Sequence, residues 1–181
     1  STWPKGTPNY WALPAMGDAN GWFYRKDWFA KSELQAEFKG KYGRDLAPPK
    51  TWTELKEVAE FFQGREIDGK KVYGASIHTE RGSEGITMGV TNVLYDYGFK
   101  YQNPDKPYDM EGFVNSPDAV KGLEFYKELY KCCTPPGASD SYMGEGLDAF
   151  KSVQVANQMN FVAFCPGLSQ DPHVGREKNG I

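Results

Sequence analysis

The sequence lacks most of what nucleophilic or metal-assisted chemistry draws on. Histidine occurs twice, at 78 and 173. There is no Gly-x-Ser-x-Gly, no His-Glu-x-x-His and no phosphate loop. No Cys-x-x-Cys or mixed Cys/His ligand spacing exists, so neither a metal nor a cofactor is expected and no catalytic residue is assigned. Cysteine is scarce, at 132, 133 and 165. Adjacent cysteines rarely bond to each other because the ring is strained, so free, partly buried thiols are expected, with a bridge from one of the pair to Cys165 as the alternative. No apolar run approaches the ~18 residues of a membrane span. Lys and Arg total 21 against 24 Asp and Glu, with no long basic run, which argues against nucleic acid as a partner. Internal repeats and low-complexity linkers are also missing, and Ser1 is followed by no charged and apolar leader pattern, so the sequence itself carries no address.

What is present suits a folded domain. The 181 residues fit one ordinary domain or one large lobe of a bigger protein, and 39% hydrophobic residues suffice for a packed core. Aromatics reach 15%, with 20 glycines and 12 prolines, so many loops are expected. Aromatics, loops and mild acidity together occur often in proteins that handle carbohydrate.

Periodicity marks the elements. In "APPKTWTELKEVAEFFQG" the prolines at 48 and 49 bar helix before Thr51, and Thr51 with Glu54 forms a capping box. Trp52, Leu55, Val58, Ala59 and Phe62 then share a face, and Gly64 ends the helix. Residues 71–78 read as a short strand, with His78 at its end near the surface. A helix follows, with Ile86, Val90, Val93, Leu94 and Tyr97 inward and Gly98 as its stop. Another starts at the Ser116 cap and Pro117, with Val120, Leu123, Tyr126, Leu129 and Tyr130 inward. "SYMGEGLDAFKS" is a shorter helix. "VQVANQMNFVAF" alternates as a strand through Val153, Val155, Met159 and Phe161. Strands alternating with helices give an α/β class with a mixed or parallel sheet.

The segment "LPAMGDANGWFYRKDWF" breaks an aromatic run with Gly17, Asp18, Asn20 and Gly21. A plain hairpin turn and a turn that presents polar groups to a ligand both fit. In open α/β sheets ligands sit beyond the carboxyl ends of strands. Three segments at strand ends carry suitable residues: Asp18 and Asn20, then "TERGSEG" after His78, and then "MNFVAFCPGL" with Asn160, Phe161 and Phe164. Aromatic rings cover the C–H faces of a sugar, while Asp, Asn and Arg take its hydroxyl edges. Core packing explains either Phe161 or Phe164 alone; the three polar-aromatic strand ends together point to a site. Asp18, Glu80 and Glu84 also offer carboxylates of the kind a glycosidase uses, although nothing in the sequence fixes their separation, and Glu80 and Glu84 read as solvated acids.

The ordered series "YWALPAMGDANGWFYRKDWF", "PPKTWTELKEVAEFF", "VYGASI", "NSPDAVKGLEFYKELY" and "YMGEGLDAFKSVQVANQMNFVAFCPGL" resembles the extracellular solute-binding proteins of ABC sugar importers, the class that includes maltose-binding protein. The resemblance covers nearly the whole chain and lies in the order of the pieces. It implies a periplasmic-binding-protein-like lobe of type II, with a mixed sheet flanked by helices, from a protein of two lobes that close on a ligand. Residues 1–20 would form the interlobe, hinge-crossing segment, 21–165 the main, C-terminal-lobe-like unit, and 166–181 a return segment toward the other lobe. It further implies a non-catalytic monomer, periplasmic or extracellular, that captures a mono- or oligosaccharide and delivers it to a membrane permease. Asp18, Asn20, Arg81, Glu84, Asn160, Phe161 and Phe164 are the implied ligand contacts, Arg81 and Glu84 on a loop that varies among members. A glycoside hydrolase or a lectin-like fragment is the alternative. Two positions depart from the pattern. Val153 stands where Gly is common, and Asn157, where an apolar residue is usual, needs a hydrogen-bond partner if buried.

Overall fold

The computed structural model describes residues 4–13, 15, 17–82 and 84–181. Ser1–Trp3, Pro14 and Met16 of the segment expected to cross the hinge, and Ser83 of the loop after His78, lie outside them. The chain runs β1 (Asn20–Arg25), α1 (Lys26–Phe29), α2 (Ser32–Tyr42), α3 (Trp52–Phe62), β2 (Glu66–Ile67), β3 (Lys70–Lys71), β4 (Tyr73–Ser76), α4 (Gly85–Asp96), α5 (Pro117–Cys133), α6 (Met143–Lys151), β5 (Val155–Phe161), α7 (Cys165–Ser169) and β6 (Asn179–Gly180). Four strands form a sheet in the order β4-β5-β1-β6, and β2 and β3 make a separate hairpin. β4 is parallel to β5, β5 antiparallel to β1, and β1 antiparallel to β6. The fold is thus the mixed α/β arrangement expected.

The Ser116 cap forms as read, whereas the Thr51 box forms in one half only, its carboxylate shifted to the preceding residue. Glu54 N–H donates to Thr51 Oγ1 at 3.2 Å, the Glu54 carboxylate accepts from Lys50 N–H, and Gly64 takes φ +74° at the end of the turn. Ser116 Oγ accepts from Ala119 N–H at 3.1 Å.

The buried faces need correction. Val120 and Leu123 of α5 are exposed, while Ala119, Gly122 and Phe125 are buried beside Tyr126 and Leu129. In α4, Ile86 faces outward, and Gly85, Gly89 and Val93 face inward. Glycines decide this: a Cβ at Gly122 would fall 3.2 Å from Leu94, and one at Gly89 would strike the Tyr126 hydroxyl, so each helix receives large side chains of the other over a glycine. The amphipathic count weights side-chain size, and close helix contact selects against size.

β5 does not alternate. Val155 through Asn160 are all buried, because Val155 packs with Phe23, Phe150 and Leu168, while Ala156 packs with Trp28, Phe62 and Val72. A central strand with both faces covered loses the period-two signal. It also stops at Phe161: Val162–Phe164 form a 3₁₀ turn and α7 follows at Cys165, so Phe164 is not on a strand. α2 has no counterpart in the sequence reading. Its signals, Leu34 and Phe38 four residues apart and Gly43 as a left-handed C-cap, are few.

Of the two departures from the expected pattern, the one at Asn157 is compensated and the one at Val153 is strained. Asn157 is buried and donates from Nδ2 to Gly74 O at 3.0 Å. Val153 adopts φ +65°, the left-handed conformation that glycine fills without cost and that disfavours L-residues by about 1–2 kcal/mol. The expected free thiols at 132 and 133 are overturned: their sulfurs are bonded to each other at the end of α5, within reach because the residues are adjacent, and Cys165 is free.

Helix α3 lies on β4 so closely that a Cβ at Gly74 would come 2.1 Å from Ala59 O. Gly74→Ala should therefore lower unfolding free energy by about 1–3 kcal/mol. Gly144→Ala, where a methyl meets open space, should not lower it. Urea titration of both variants checks the contrast.

Candidate functional site

The register of β1 against β5 places two of the three strand-end segments side by side. Asn20 lies opposite Phe161 and Gly21 opposite Asn160. The pairing continues past the strands: Val162 N–H donates to Ala19 O at 2.9 Å, and Ala163 N–H to Asp18 Oδ1 at 3.3 Å. Asp18 Oδ1 also accepts from Ala19 N–H at 2.7 Å, so this exposed carboxylate shapes its own turn while standing beside the 3₁₀ turn that carries Phe164. Gly21 permits the approach, since a Cβ there would fall 3.2 Å from Val162 Cγ2. Asn20 donates from Nδ2 to Met88 O at 3.3 Å, and its buried Oδ1 has no protein hydrogen bond among the described residues.

The third segment closes in from β4. Thr79 and Glu80 N–H groups donate to Ser141 O at 2.7 and 3.1 Å, and Ser141 N–H returns a bond to Thr79 Oγ1 at 3.0 Å. This ties the loop after β4 to the start of α6, where Tyr142 N–H donates to the Glu145 carboxylate at 3.1 Å. His78, Tyr142 and Phe161 form an edge-to-face ring cluster with centroids 5.0, 6.1 and 6.4 Å apart. His78 is 1% exposed rather than near the surface, because Tyr142 and Phe161 cover it. Its Nε2 is 3.0 Å from Met159 O, and its backbone O accepts from the Tyr126 hydroxyl at 2.5 Å. Burial holds the imidazole below its ordinary value. Burial raises the Tyr142 phenol, and the Glu84 and Glu80 carboxylates raise it further.

Asp18, Asn20, Glu84, Asn160, Phe161 and Phe164 therefore belong to connected segments at one end of the sheet. Asn160 is fully buried beneath them. Arg81 instead lines a 270 Å³ groove between α4 and α5 with Ile86, Val90 and Leu123. The sequence reading missed His78 and Tyr142. The one signal for Tyr142 was its spacing of three from Glu145, which repeats that of Thr51 and Glu54. A cavity of about 650 Å³ lies among Trp22, Tyr24, Trp52 and Asp96. It includes none of the six. We place the site by converging polar and aromatic groups, since volume alone selects no chemistry.

No family model matches the chain. The mannitol-binding protein of Pseudomonas aeruginosa is 29% identical over 153 residues, 84% of this chain and 30% of that protein. Among solved structures, a solute-binding protein of an ABC transporter from Agrobacterium radiobacter K84, in complex with ribitol, matches with TM-score 0.66 and 26% identity, over 90% of this chain and 36% of the other. One from Agrobacterium vitis S4, with bound D-mannitol, matches with TM-score 0.67 and 21% identity, over 90% and 35%. The chain carries the fold of the ABC-transporter solute-binding proteins. It spans about a third of the length of these solute-binding relatives.

Two outcomes follow from the geometry. A carboxylate contact to hydroxyl donors is worth roughly 1.5–3 kcal/mol. On the carbohydrate-binding reading proposed below, Asp18→Ala in the full-length protein should weaken sugar binding at least about tenfold. A fall in melting temperature with unchanged affinity would reduce Asp18 to a turn former. The second outcome concerns His78. The unfolded chain binds this proton near 6.5 and the folded chain only at lower pH. The stabilisation is thus full above about 6.5 and is lost as pH falls through the folded value. Urea midpoints from about pH 8 to about pH 5 should fall more steeply for the native sequence than for His78→Gln.

Proposed function

We propose that this chain forms one lobe of the carbohydrate-binding component of an ABC transporter, which captures a sugar or sugar alcohol between two lobes for import. The observation that carries the reading is the junction of β1 and β5, where Asp18 and Asn20 stand beside Phe161–Phe164 at the end of a solute-binding fold. Carboxylate and amide groups suit hydroxyl edges, and rings suit the C–H faces. Asp18, Asn20, Phe161 and Phe164 are the proposed contacts, joined by Glu84 from the start of α4. Arg81, in its separate groove, has no part in it.

Residues 1–20 cross toward a second lobe in this reading, 21–165 form the lobe itself, and 166–181 return, pairing through β6 with β1 on the way. The protein acts as a monomer outside the cytoplasmic membrane and hands its cargo to a membrane permease. It binds without catalysis. Among the described residues no helix is long and apolar enough to cross a membrane. The bound polyols of the solved relatives support sugar alcohols as the first ligands to try.

Calorimetry of the full-length protein against D-mannitol, ribitol and maltose, with a reducing-sugar assay on maltose, tests this. Saturable binding to at least one, with no turnover, is expected; hydrolysis, or no binding at all, rejects it. Residues 1–181 alone should bind far more weakly than the full-length protein, since each 1.4 kcal/mol of lost contact is about tenfold. Micromolar affinity of residues 1–181 alone would overturn the two-lobe part of the reading.

A further inference from the structure

Asn160 was expected to touch the ligand, yet its amide is spent inside the protein. It is 0% exposed. Its Nδ2 donates to Met143 O at 3.0 Å, and its Oδ1 accepts from Phe161 N–H at 2.9 Å. One side chain thus grips the first turn of α6 with one end and the backbone of Phe161 with the other. Tyr142, immediately before that turn, is half-buried and meets Phe161 and His78 edge-to-face.

The reach of the amide depends on a close approach. A Cβ at Gly146 would lie 3.1 Å from Gln158 Nε2, 3.4 Å from Ser76 Oγ and 3.5 Å from Asn160 Nδ2. α6 therefore lies flat on β5, and its N-terminal turn comes within hydrogen-bonding distance of residue 160. Ser76 and Gln158, paired in register, extend the same polar bed, but both amide atoms of Gln158 have no protein partner among the described residues. The Asn160 amide is accordingly the specific tie between β5 and the start of α6.

We propose that Asn160 is a positioning residue without ligand contact, and that the element it positions is Tyr142, a second aromatic wall of the site facing Phe161. The inference rests on the carbohydrate-binding reading above and names a further residue of that site. Because the Tyr142 hydroxyl is buried, the ring is the part offered to the ligand. A polyhydroxyl compound of monosaccharide size meets Phe161 and Tyr142 with its C–H faces, and Asp18 with its hydroxyls.

A double-mutant cycle separates positioning from contact. Tyr142→Ala, Asn160→Ala and the double variant of the full-length protein are titrated with D-mannitol. Each single change should weaken binding about tenfold, and the double variant should lose little more than Tyr142→Ala alone, because both remove the same wall. Losses that multiply to about a hundredfold would mean that Asn160 acts independently and would overturn the proposal. Hydrogen exchange gives a second readout without ligand: in Asn160→Ala the amides of Glu145–Leu147 should exchange faster while those of α3 do not change. Unchanged exchange in α6 overturns the proposal as well. Asn160→Asp keeps the acceptor for Phe161 and loses the donor to Met143, so it carries the same comparisons if the alanine variant does not fold. Failure of the native protein to bind any of the three sugars would remove the carbohydrate reading, while the exchange experiment still decides whether Asn160 holds α6.

Discussion

The antiparallel pairing of β1 with β5 is the constraint on which the rest of the structure hangs. Five residue pairs, from Asn20 opposite Phe161 to Tyr24 opposite Asn157, set the register. A slip of one residue would turn every side chain of β5 to the other face. Asn157 would then leave Gly74 and Asn160 would leave Met143, so the ties to β4 and α6 would both be lost. Phe161 would no longer face Asn20. The same register holds the sheet together and composes the candidate site.

That central strand is polar for its position. Asn157, Gln158 and Asn160 are all buried, with Ser76 and His78 nearby on the neighbouring strand and its extension. A buried neutral hydrogen bond contributes only about 1 kcal/mol net, but an orphaned buried group costs about 1–3 kcal/mol. Such residues add little to stability when satisfied and penalise every arrangement that fails to satisfy them. Asn157 and Asn160, whose amides are paired, select the native register in this way, while the aromatic clusters supply the driving force. Phe62 stacks on Phe29 at 5.6 Å and meets Trp28 at 5.9 Å, and the Arg25 guanidinium, pinned by Asp27, covers Trp28 at 4.2 Å.

Local chemistry made part of this legible from the sequence. The caps at Thr51 and Ser116 depend on residues within one turn; the one at Ser116 appears as read and the one at Thr51 in one half. Helix faces depend on the partner surface. The prominence of Ile86 and Leu123 in the sequence therefore misdirected the reading, since the contact runs through Gly89 and Gly122. β5 hid its period because both of its faces are covered. Asp18 and Asn20 were expected beyond the carboxyl end of a strand, yet they stand at the amino end of β1, and it is the antiparallel pairing that brings them to Phe161 at the carboxyl end of β5. The places of His78 and Tyr142 were not legible, since bonds between residues 79 and 141 bring them together and nothing local announces those bonds. The bonded pair Cys132–Cys133 ran against a general rarity that says nothing about this helix end.

The contacts that build the site join residues far apart along the chain: Asp18 meets Ala163 across 145 positions, and His78 meets Met159 across 81. Closing such long loops costs entropy before any contact rewards it, which makes non-local pairing slow. β5, the strand that all three segments need, is synthesised after both β1 and β4. During translation the helical segments and the Trp28 cluster can condense while β1 and β4 still lack their common neighbour. Their unpaired edges stay exposed until residues 155–161 emerge. The candidate site is therefore complete only once β5 has joined β1 to β4.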